Sequence, residues 1–146
     1  MAFDPTEGAT ILTTLGWDLI NRMDIGVALD NWSFAVGDGG HNVGAPQNAL
    51  EPLPAQATLA NQTWPVAGTE AVDDRELVSA SAASFLCRLE DGEAVGMISE
   101  WGLFAEVTAS NVPAEVGTTV MIAYMTHPLR CKVTQEQRGA RFILQQ

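Results

Sequence analysis

Side chains that could do acid-base or metal chemistry are few and scattered in this 146-residue chain. Its two histidines, His41 and His127, have no Asp, Glu, Cys or Ser at spacings typical of a metal site or of a nucleophile with its base. Asp73 and Asp74 could form a paired-carboxylate site or bind a divalent ion, but adjacent strand residues point to opposite faces. We therefore predict no catalytic residue, no metal site and no cofactor.

Glu100 is the one carboxylate in an apolar segment, Met97 to Phe104, whose pattern predicts a strand covered on both faces. Alternation places Ile98, Glu100, Gly102 and Phe104 on one face and Met97, Ser99, Trp101 and Leu103 on the other. A buried carboxylate costs several kcal/mol unless it is paired or hydrogen-bonded. We expect a structural contact, either to an arginine (Arg75 or Arg88) or to backbone amides in a turn, rather than a general acid.

A second segment, Phe34 to Gly40, predicts a strand that ends in a glycine turn. Gly37, Gly39 and Gly40 are expected to supply positive φ angles, and Asp38 to hydrogen-bond its own backbone just downstream. The turn has no P-loop lysine and no following helix, which argues against nucleotide binding.

The elements that must position these residues are a helix and several strands. Apolar residues recur at three- and four-residue intervals and predict an amphipathic helix over Gly8 to Met23, with Thr6 or Thr10 as its cap and Gly26 as its stop. Strands are predicted over 31–36, 77–89, 97–104, 118–126 and 140–145, and a short edge element over 59–66. The strands at 77–89 and 97–104 should form a hairpin through Asp91 and Gly92.

This pattern predicts an α+β fold that is mostly β, with the helix packed on a predominantly antiparallel sheet. A long Gly/Pro loop, residues 37–54, should lie on the surface, and no structure is predicted for 41–66 as a whole. The length suits one domain over 1–146, with 1–7 expected to form a flexible arm.

The order of these segments resembles the N-terminal attachment domain of phage tail-fibre and tail-collar proteins, similar to domains in the baseplates of Mu-like phages. The resemblance depends on the string AVGDG at Ala35 to Gly39 and the string E-x-G-L-F at Glu100 to Phe104. It continues through a strand at 120–124 and a proline-then-lysine loop at 128–132. The chain departs from the family at Trp101, where an aliphatic residue is usual, and over 44–61, where an arginine-bearing strand is often found.

The resemblance implies a non-enzymatic structural protein of the virion tail, present in the host cytoplasm during assembly, that docks fibres or neighbouring subunits. Its partners would be other tail, collar or baseplate proteins and fibre subunits, and it would form a trimer or a hexameric ring. The motif positions it carries over are Gly37, Asp38, Gly39, Glu100, Trp101, Gly102, Leu103, Phe104 and Lys132. Two other classes stay open: a carbohydrate-binding module that contacts the host surface, and a small hydrolase.

Charge and the remaining residue types limit the classes of partner that we expect. Eighteen acidic residues against seven basic ones give a net charge of −11, which disfavours nucleic acid, and no apolar stretch is long enough to predict a membrane span. Trp32 and Trp101 are expected in the core, whereas Trp17, Trp64 and His41 are possible interface residues. The two cysteines, Cys87 and Cys131, are expected to be buried free thiols, although a disulfide between neighbouring strands stays open.

Overall fold

A computed structural model describes residues 5–6, 9–79 and 82–145, so the predicted arm over 1–7 lies largely outside the described residues. The described residues form twelve strands and one α-helix, α1 (Thr14–Asn21), with 3₁₀ turns at Met23–Ile25 and Pro113–Glu115. The strands are β1 (Pro5–Thr6), β2 (Ala9–Leu12), β3 (Ala28–Gly37), β4 (His41–Asn42), β5 (Ala45–Ala49), β6 (Gln62–Trp64), β7 (Glu70–Ala71), β8 (Asp74–Ser79), β9 (Ala82–Leu89), β10 (Gly96–Ala109), β11 (Thr119–Lys132) and β12 (Arg138–Gln145).

Two sheets pack face to face as a sandwich. One has the order β1-β12-β9-β8 and the other β2-β11-β10-β3-β6, with β7 also paired to β3. Every pairing is antiparallel except the short parallel contact of β1 with β12. The prediction of a mostly β, predominantly antiparallel fold is therefore confirmed.

The sandwich core is built by alternate residues of facing strands. One sheet contributes Phe85, Cys87 and Leu89 of β9, and the other contributes Phe34 of β3 and Trp101 of β10. These side chains are at most 1% exposed. In β3, Trp32, Phe34 and Val36 lie in this core, whereas Ala35 lies in a separate apolar cluster.

The predicted helix over Gly8 to Met23 is wrong in its first half. Residues 9–12 form β2, and α1 begins after Thr13, whose side-chain oxygen accepts a hydrogen bond from the Gly16 amide at 2.9 Å. Thr13 is therefore the cap, not Thr6 or Thr10. β-branched residues around Ile11 favour extended backbone, and the apolar side chains of a half-covered strand can match a helical pattern over so few residues. Gly26, at φ 112°, ends the turn after α1 as predicted.

The predicted hairpin between 77–89 and 97–104 is also wrong. The segment 77–89 belongs to two strands, β8 and β9, that pair with each other, and the second edge of β9 is occupied by β12. β10 lies in the other sheet, between β3 and β11. Residues 90–95 therefore cross from one sheet to the other, and the Gly92 amide is tied to the Thr134 carbonyl at 2.7 Å.

The outer face of the six-stranded sheet is covered by residues 38–61, called here the covering loop. It begins with the β4–β5 hairpin, which lies against β11, and it contributes Leu59 to a second apolar cluster. The other members of this cluster are Ala35, Phe104, Met121 and Tyr124. β6 then pairs with β3 at the sheet edge, as predicted for the residues around Trp64. The long Gly/Pro segment is thus a structured cover on the sheet.

Candidate functional site

The carboxylate of Glu100 lies beneath the covering loop, fully buried, and accepts four hydrogen bonds. Its Oε2 accepts from the amides of Gly39 at 2.9 Å and Asn61 at 2.8 Å. Its Oε1 accepts from the amide of Ala60 at 2.8 Å and from the hydroxyl of Tyr124 at 2.6 Å. These five residues are called the Glu100 site. All four partners are donors, which suits an ionised carboxylate, since it can only accept.

The prediction that Glu100 is buried is confirmed, and of its two expected partners the backbone amides are the correct ones. Arg75 instead lies over the rings of Trp32 and Phe85, at 5.6 and 5.7 Å from their centroids. Arg88 pairs with Glu90 at 2.8 Å. Amides are favoured here because the two ends of the covering loop bring three N–H groups together over β10.

Burial, followed by the hydrogen bond to Glu100, raises the pKa of the Tyr124 phenol well above its ordinary value. Tyr124 therefore stays protonated and remains a donor at physiological pH. The pair joins β10 to β11 on the outer face of the sheet, in addition to the backbone ladder.

The glycines of the turn are required for close approach, so the prediction of positive φ angles is wrong for Gly37, Gly39 and Gly40. A Cβ on Gly37 would stand 2.6 Å from Glu100 Oε2, and a Cβ on Gly39 would stand 2.6 Å from the Ala60 Cβ. For Gly40 the obstacle is the Ser99 backbone. None of the three has φ in the left-handed region. Their missing side chains allow the covering loop to contact β10 directly.

Asp38 also differs from its prediction. Its carboxylate accepts a hydrogen bond from the Asn61 side-chain amide at 2.5 Å, rather than from its own downstream backbone. The Asp38 amide donates to the Asn61 carbonyl at 3.2 Å. The first and last residues of the covering loop are thus joined to each other, and Asn61 is also hydrogen-bonded to Glu100.

Beside the Glu100 site lies a serine-histidine pair that the sequence did not reveal, since the two residues are far apart in the chain. His41 Nδ1 stands 2.9 Å from Ser99 Oγ, and the same oxygen accepts a hydrogen bond from the Gly40 amide at 2.8 Å. Ser99 is fully buried. Both contacts join the covering loop to β10.

On the inner side of β10, Trp101 is hydrogen-bonded to a buried histidine. Trp101 Nε1 donates to His127 Nε2 at 3.0 Å. Nε2 is therefore the accepting nitrogen, and Nδ1 donates to the Pro128 carbonyl at 2.7 Å. Burial, aided by the charges of Arg130 and Arg138, lowers the pKa of His127. His127 is thus held neutral as a structural residue.

The remaining motif positions are also buried. Lys132 is 1% exposed and donates from Nζ to the Glu90 carbonyl at 2.9 Å, and burial lowers its pKa. Gly102 packs closely against the Phe104 ring, because a Cβ added to Gly102 would lie only 2.9 Å from a ring carbon of Phe104. Leu103 lies in the sandwich core and Phe104 in the outer cluster.

Of the predicted interface residues, Trp17 is on the surface, with 52% of its area exposed. Trp64 is half-buried, and its ring centroid lies 6.1 Å from that of Phe34. His41 is half-buried beside Ser99. Trp32 and Trp101 lie in the core as predicted.

The two cysteines are both free, but only Cys87 is buried, so the prediction for Cys131, which is exposed, is wrong.

The Asp73 and Asp74 carboxylates each accept a backbone hydrogen bond, from Arg88 and Arg75 respectively. Within the described ranges, no three His, Cys, Asp or Glu side chains are grouped closely enough to hold a metal ion. No helix in the described part of the chain has the length and apolar character of a transmembrane span.

No protein-family model matches this chain, and no curated protein matches it. The contacts described above and the resemblance of its two motifs are therefore the basis for a functional proposal.

Proposed function

We propose that this protein is a structural component of a phage tail, a fibre adaptor, collar or baseplate protein that docks fibres or neighbouring subunits. The observation that carries the proposal is the hydrogen bond from the Gly39 amide to Glu100 Oε2. It joins the two short strings on which the resemblance depends. The motif residues therefore meet at one place in the fold, which supports treating the two strings as parts of one motif, as the resemblance does.

A second support is that the unusual groups are used inside the protein. Glu100 and Ser99 are both fully buried, and each is hydrogen-bonded to the covering loop. Trp101 and His127 satisfy each other in the core. These four side chains are at most 2% exposed, whereas a catalytic group must be reached by its substrate.

A third support is an exposed apolar surface at the N-terminal end of α1. Leu15 is 50% exposed and Leu53 61% exposed, and Trp17 stands at the wall of a groove of about 400 Å³. Ile11, Leu12 and Pro54 are among the groove residues. Exposed aromatic and apolar groups beside a groove are characteristic of protein docking surfaces.

The experiment is to tag the chain in the phage that encodes it and to purify assembled particles. The proposal predicts that the tag co-purifies with tails in a copy number that is a multiple of three. Trp17→Ala should reduce incorporation with unchanged thermal stability, whereas Val43→Ala, at an 87% exposed position on the β4–β5 turn, should not. Particles that assemble and infect without the chain would refute the proposal.

The carbohydrate-binding alternative has weaker support. A sugar platform needs aromatic rings on the surface, and of the four tryptophans only Trp17 is exposed by half or more, while Trp32 and Trp101 are buried. Binding of the purified protein to a glycan array would favour this alternative over the docking role.

A further inference from the structure

The ladder between β10 and β11 contains a bulge close to the end of β11. Glu100 pairs with Thr126, and the next pair is Ile98 with Arg130. Between these two pairs lie one residue of β10 and three residues of β11, 127–129. Such a bulge interrupts the ladder and bends the strand that carries the extra residues. β11 therefore has a regular part up to Thr126 and a short part beyond the bulge.

Residues 128–132, called here the terminal segment, have fewer strand partners than the middle of β11. Just before the bulge, β11 lies between β10 and β2, but in the described part of the chain β2 pairs with no residue beyond Thr126. The terminal segment therefore pairs only with the first residues of β10. It is also fastened by Lys132, whose Nζ donates to the Glu90 carbonyl at 2.9 Å. A segment with so few attachments can open while the rest of the fold stays closed.

His127 is the first residue of the bulge, and its ring is hydrogen-bonded through both nitrogens. Nε2 accepts from Trp101 Nε1 at 3.0 Å, and Nδ1 donates to the Pro128 carbonyl at 2.7 Å. The residue is 2% exposed. A second proton would have to bind Nε2, where it would meet the N–H of Trp101, so two donors would face each other without an acceptor. Protonation is therefore incompatible with this contact.

Among the described residues, every charged side chain that lines the pocket beside His127 is a cation: Arg130, Lys132 and Arg138. Arg138 also pairs with Glu136 at 2.9 Å, but that carboxylate does not line the pocket. A protonated His127 would add a further positive charge to this group. Burial and like charges both oppose the charged form of the ring, and both effects weaken once the ring reaches solvent.

The carboxylates at this end of the fold act on Lys132. Burial lowers the pKa of Lys132, and the charges of Glu136, Asp91 and Glu93 oppose this shift. In the chain as described, none of these three carboxylates lines the pocket beside His127. A positive charge on His127 would therefore have no counter-charge within that pocket.

We propose that His127 is an acid-sensitive hinge in β11. When its ring is protonated, the ring leaves the core, Trp101 loses its acceptor, and the terminal segment separates from β10 and from the Glu90 carbonyl. The bulge confines this opening, because the ladder is already interrupted there and β11 keeps both neighbouring strands just before it. Opening brings water to His127 and Lys132, which removes the cost of burying them. The inference does not depend on the proposed docking role.

Amide hydrogen exchange of wild type at pH 7.5 and pH 5, corrected for the intrinsic effect of pH on exchange, tests the hinge. The protection of residues 130–132 should fall about tenfold or more further than that of residues 121–125. The reason is that a ring with an ordinary pKa of about 6.5 in the open form favours opening by up to about thirtyfold at pH 5. Equal losses in the two segments, or no loss in residues 130–132, would overturn the inference.

The second test replaces each of the two histidines by glutamine. His127→Gln keeps an acceptor for Trp101 and cannot gain a charge, so the protection of residues 130–132 should fall no further than that of residues 121–125. His41→Gln, on the covering loop, is the matched control and should respond to acid like wild type. A wild-type response in His127→Gln, or its loss in His41→Gln, would overturn the inference.

An NMR titration of the His127 ring gives a further test without any substitution. Because protonation and opening are coupled, the midpoint of the ring titration should coincide with the midpoint at which residues 130–132 lose protection. Two clearly different midpoints would overturn the inference. Incorporation into particles is not measured in these experiments, so their outcome is separate from that of the docking role.

Discussion

Tyr124 donates its hydroxyl hydrogen to Glu100 Oε1 at 2.6 Å, across neighbouring strands and beneath the covering loop. The same carboxylate accepts the amides of Gly39, Ala60 and Asn61. One buried charge therefore connects two central strands to both ends of a loop of more than twenty residues.

Replacing Glu100 by Gln should destabilise the fold by about 2–4 kcal/mol. The amide nitrogen of Gln must face one of four donors, and the bonds to a charged acceptor, each about 1.5–3 kcal/mol, are lost or weakened. Urea denaturation of the purified variant measures the change. Glu106→Gln is the matched control, since that half-exposed carboxylate contacts only the Asn31 side chain at 3.2 Å in the described hydrogen-bond network. Equal stability of Glu100→Gln and wild type would contradict the assigned role.

Tyr124→Phe should cost about 1.5–3 kcal/mol, because it removes one hydrogen bond to a charged group and leaves the ring in place. Its effect should not add to that of Glu100→Gln. A double-mutant cycle should give a coupling energy of about 1 kcal/mol or more, as expected for residues in one hydrogen-bond network. Simple additivity would show that the two groups act separately.

Gly40→Ala should destabilise the protein by about 1–3 kcal/mol, since the added methyl group meets the Ser99 backbone, which cannot move away easily. Gly44→Ala is the control, because the nearest atom to its Cβ is the Asn42 side-chain oxygen at 3.5 Å. This second change should stay within about 0.5 kcal/mol of wild type. Thermal melting of the two variants side by side tests the close-approach explanation. A similar loss in both would contradict it.

Folding stability should fall as the pH is lowered below about 6.5, and His127 should account for much of the fall. Its folded pKa is depressed from the ordinary value of 6.5, so the unfolded chain binds the proton first. The part of the free energy of unfolding that depends on neutral His127 is fully present above pH 6.5. It is lost as the pH decreases, at a rate of up to about 1.4 kcal/mol per pH unit. Carboxylates with lowered pKa values, Glu115 at about 2 and Glu136, lose their contributions only below about 4.5.

The measurement is urea denaturation between pH 7.5 and pH 5. His127→Gln keeps a hydrogen-bond acceptor for Trp101 but has no titrating group at this position. Its free energy of unfolding should therefore be lower than that of wild type at pH 7.5 and should change less between pH 7.5 and pH 5. A wild-type profile that is flat from 7.5 to 5 would rule out a neutral buried histidine.

The residues that the sequence placed well are those whose environment is set by their own strand. The burial of Glu100, the core positions of Trp32 and Trp101, and the stop at Gly26 all follow from local alternation or turn chemistry. The partners of Glu100 could not be predicted individually, since Ala60 and Asn61 lie about forty residues away in a segment without periodicity.

The errors have a common physical origin. Ile11 and Leu12 fit a helical pattern, but in the fold they pair with β11 as a strand. Local propensity cannot predict this pairing, because β11 lies more than a hundred residues away in the sequence. In the same way, β9 and β10 are adjacent in sequence but belong to different sheets, because other strands occupy both edges of each. The pair of Ser99 and His41 depends on the same long-range folding of the covering loop.

The central claim is that Glu100 holds the covering loop on the sandwich, and amide hydrogen exchange tests it most directly. In wild type, the amides of Gly39, Ala60 and Asn61 should be protected far more than their position in a surface loop suggests. In Glu100→Gln this protection should be lost while that of β9 and β12 remains. Rapid exchange of the three amides in wild type, or protection that Glu100→Gln leaves unchanged, would contradict the claim.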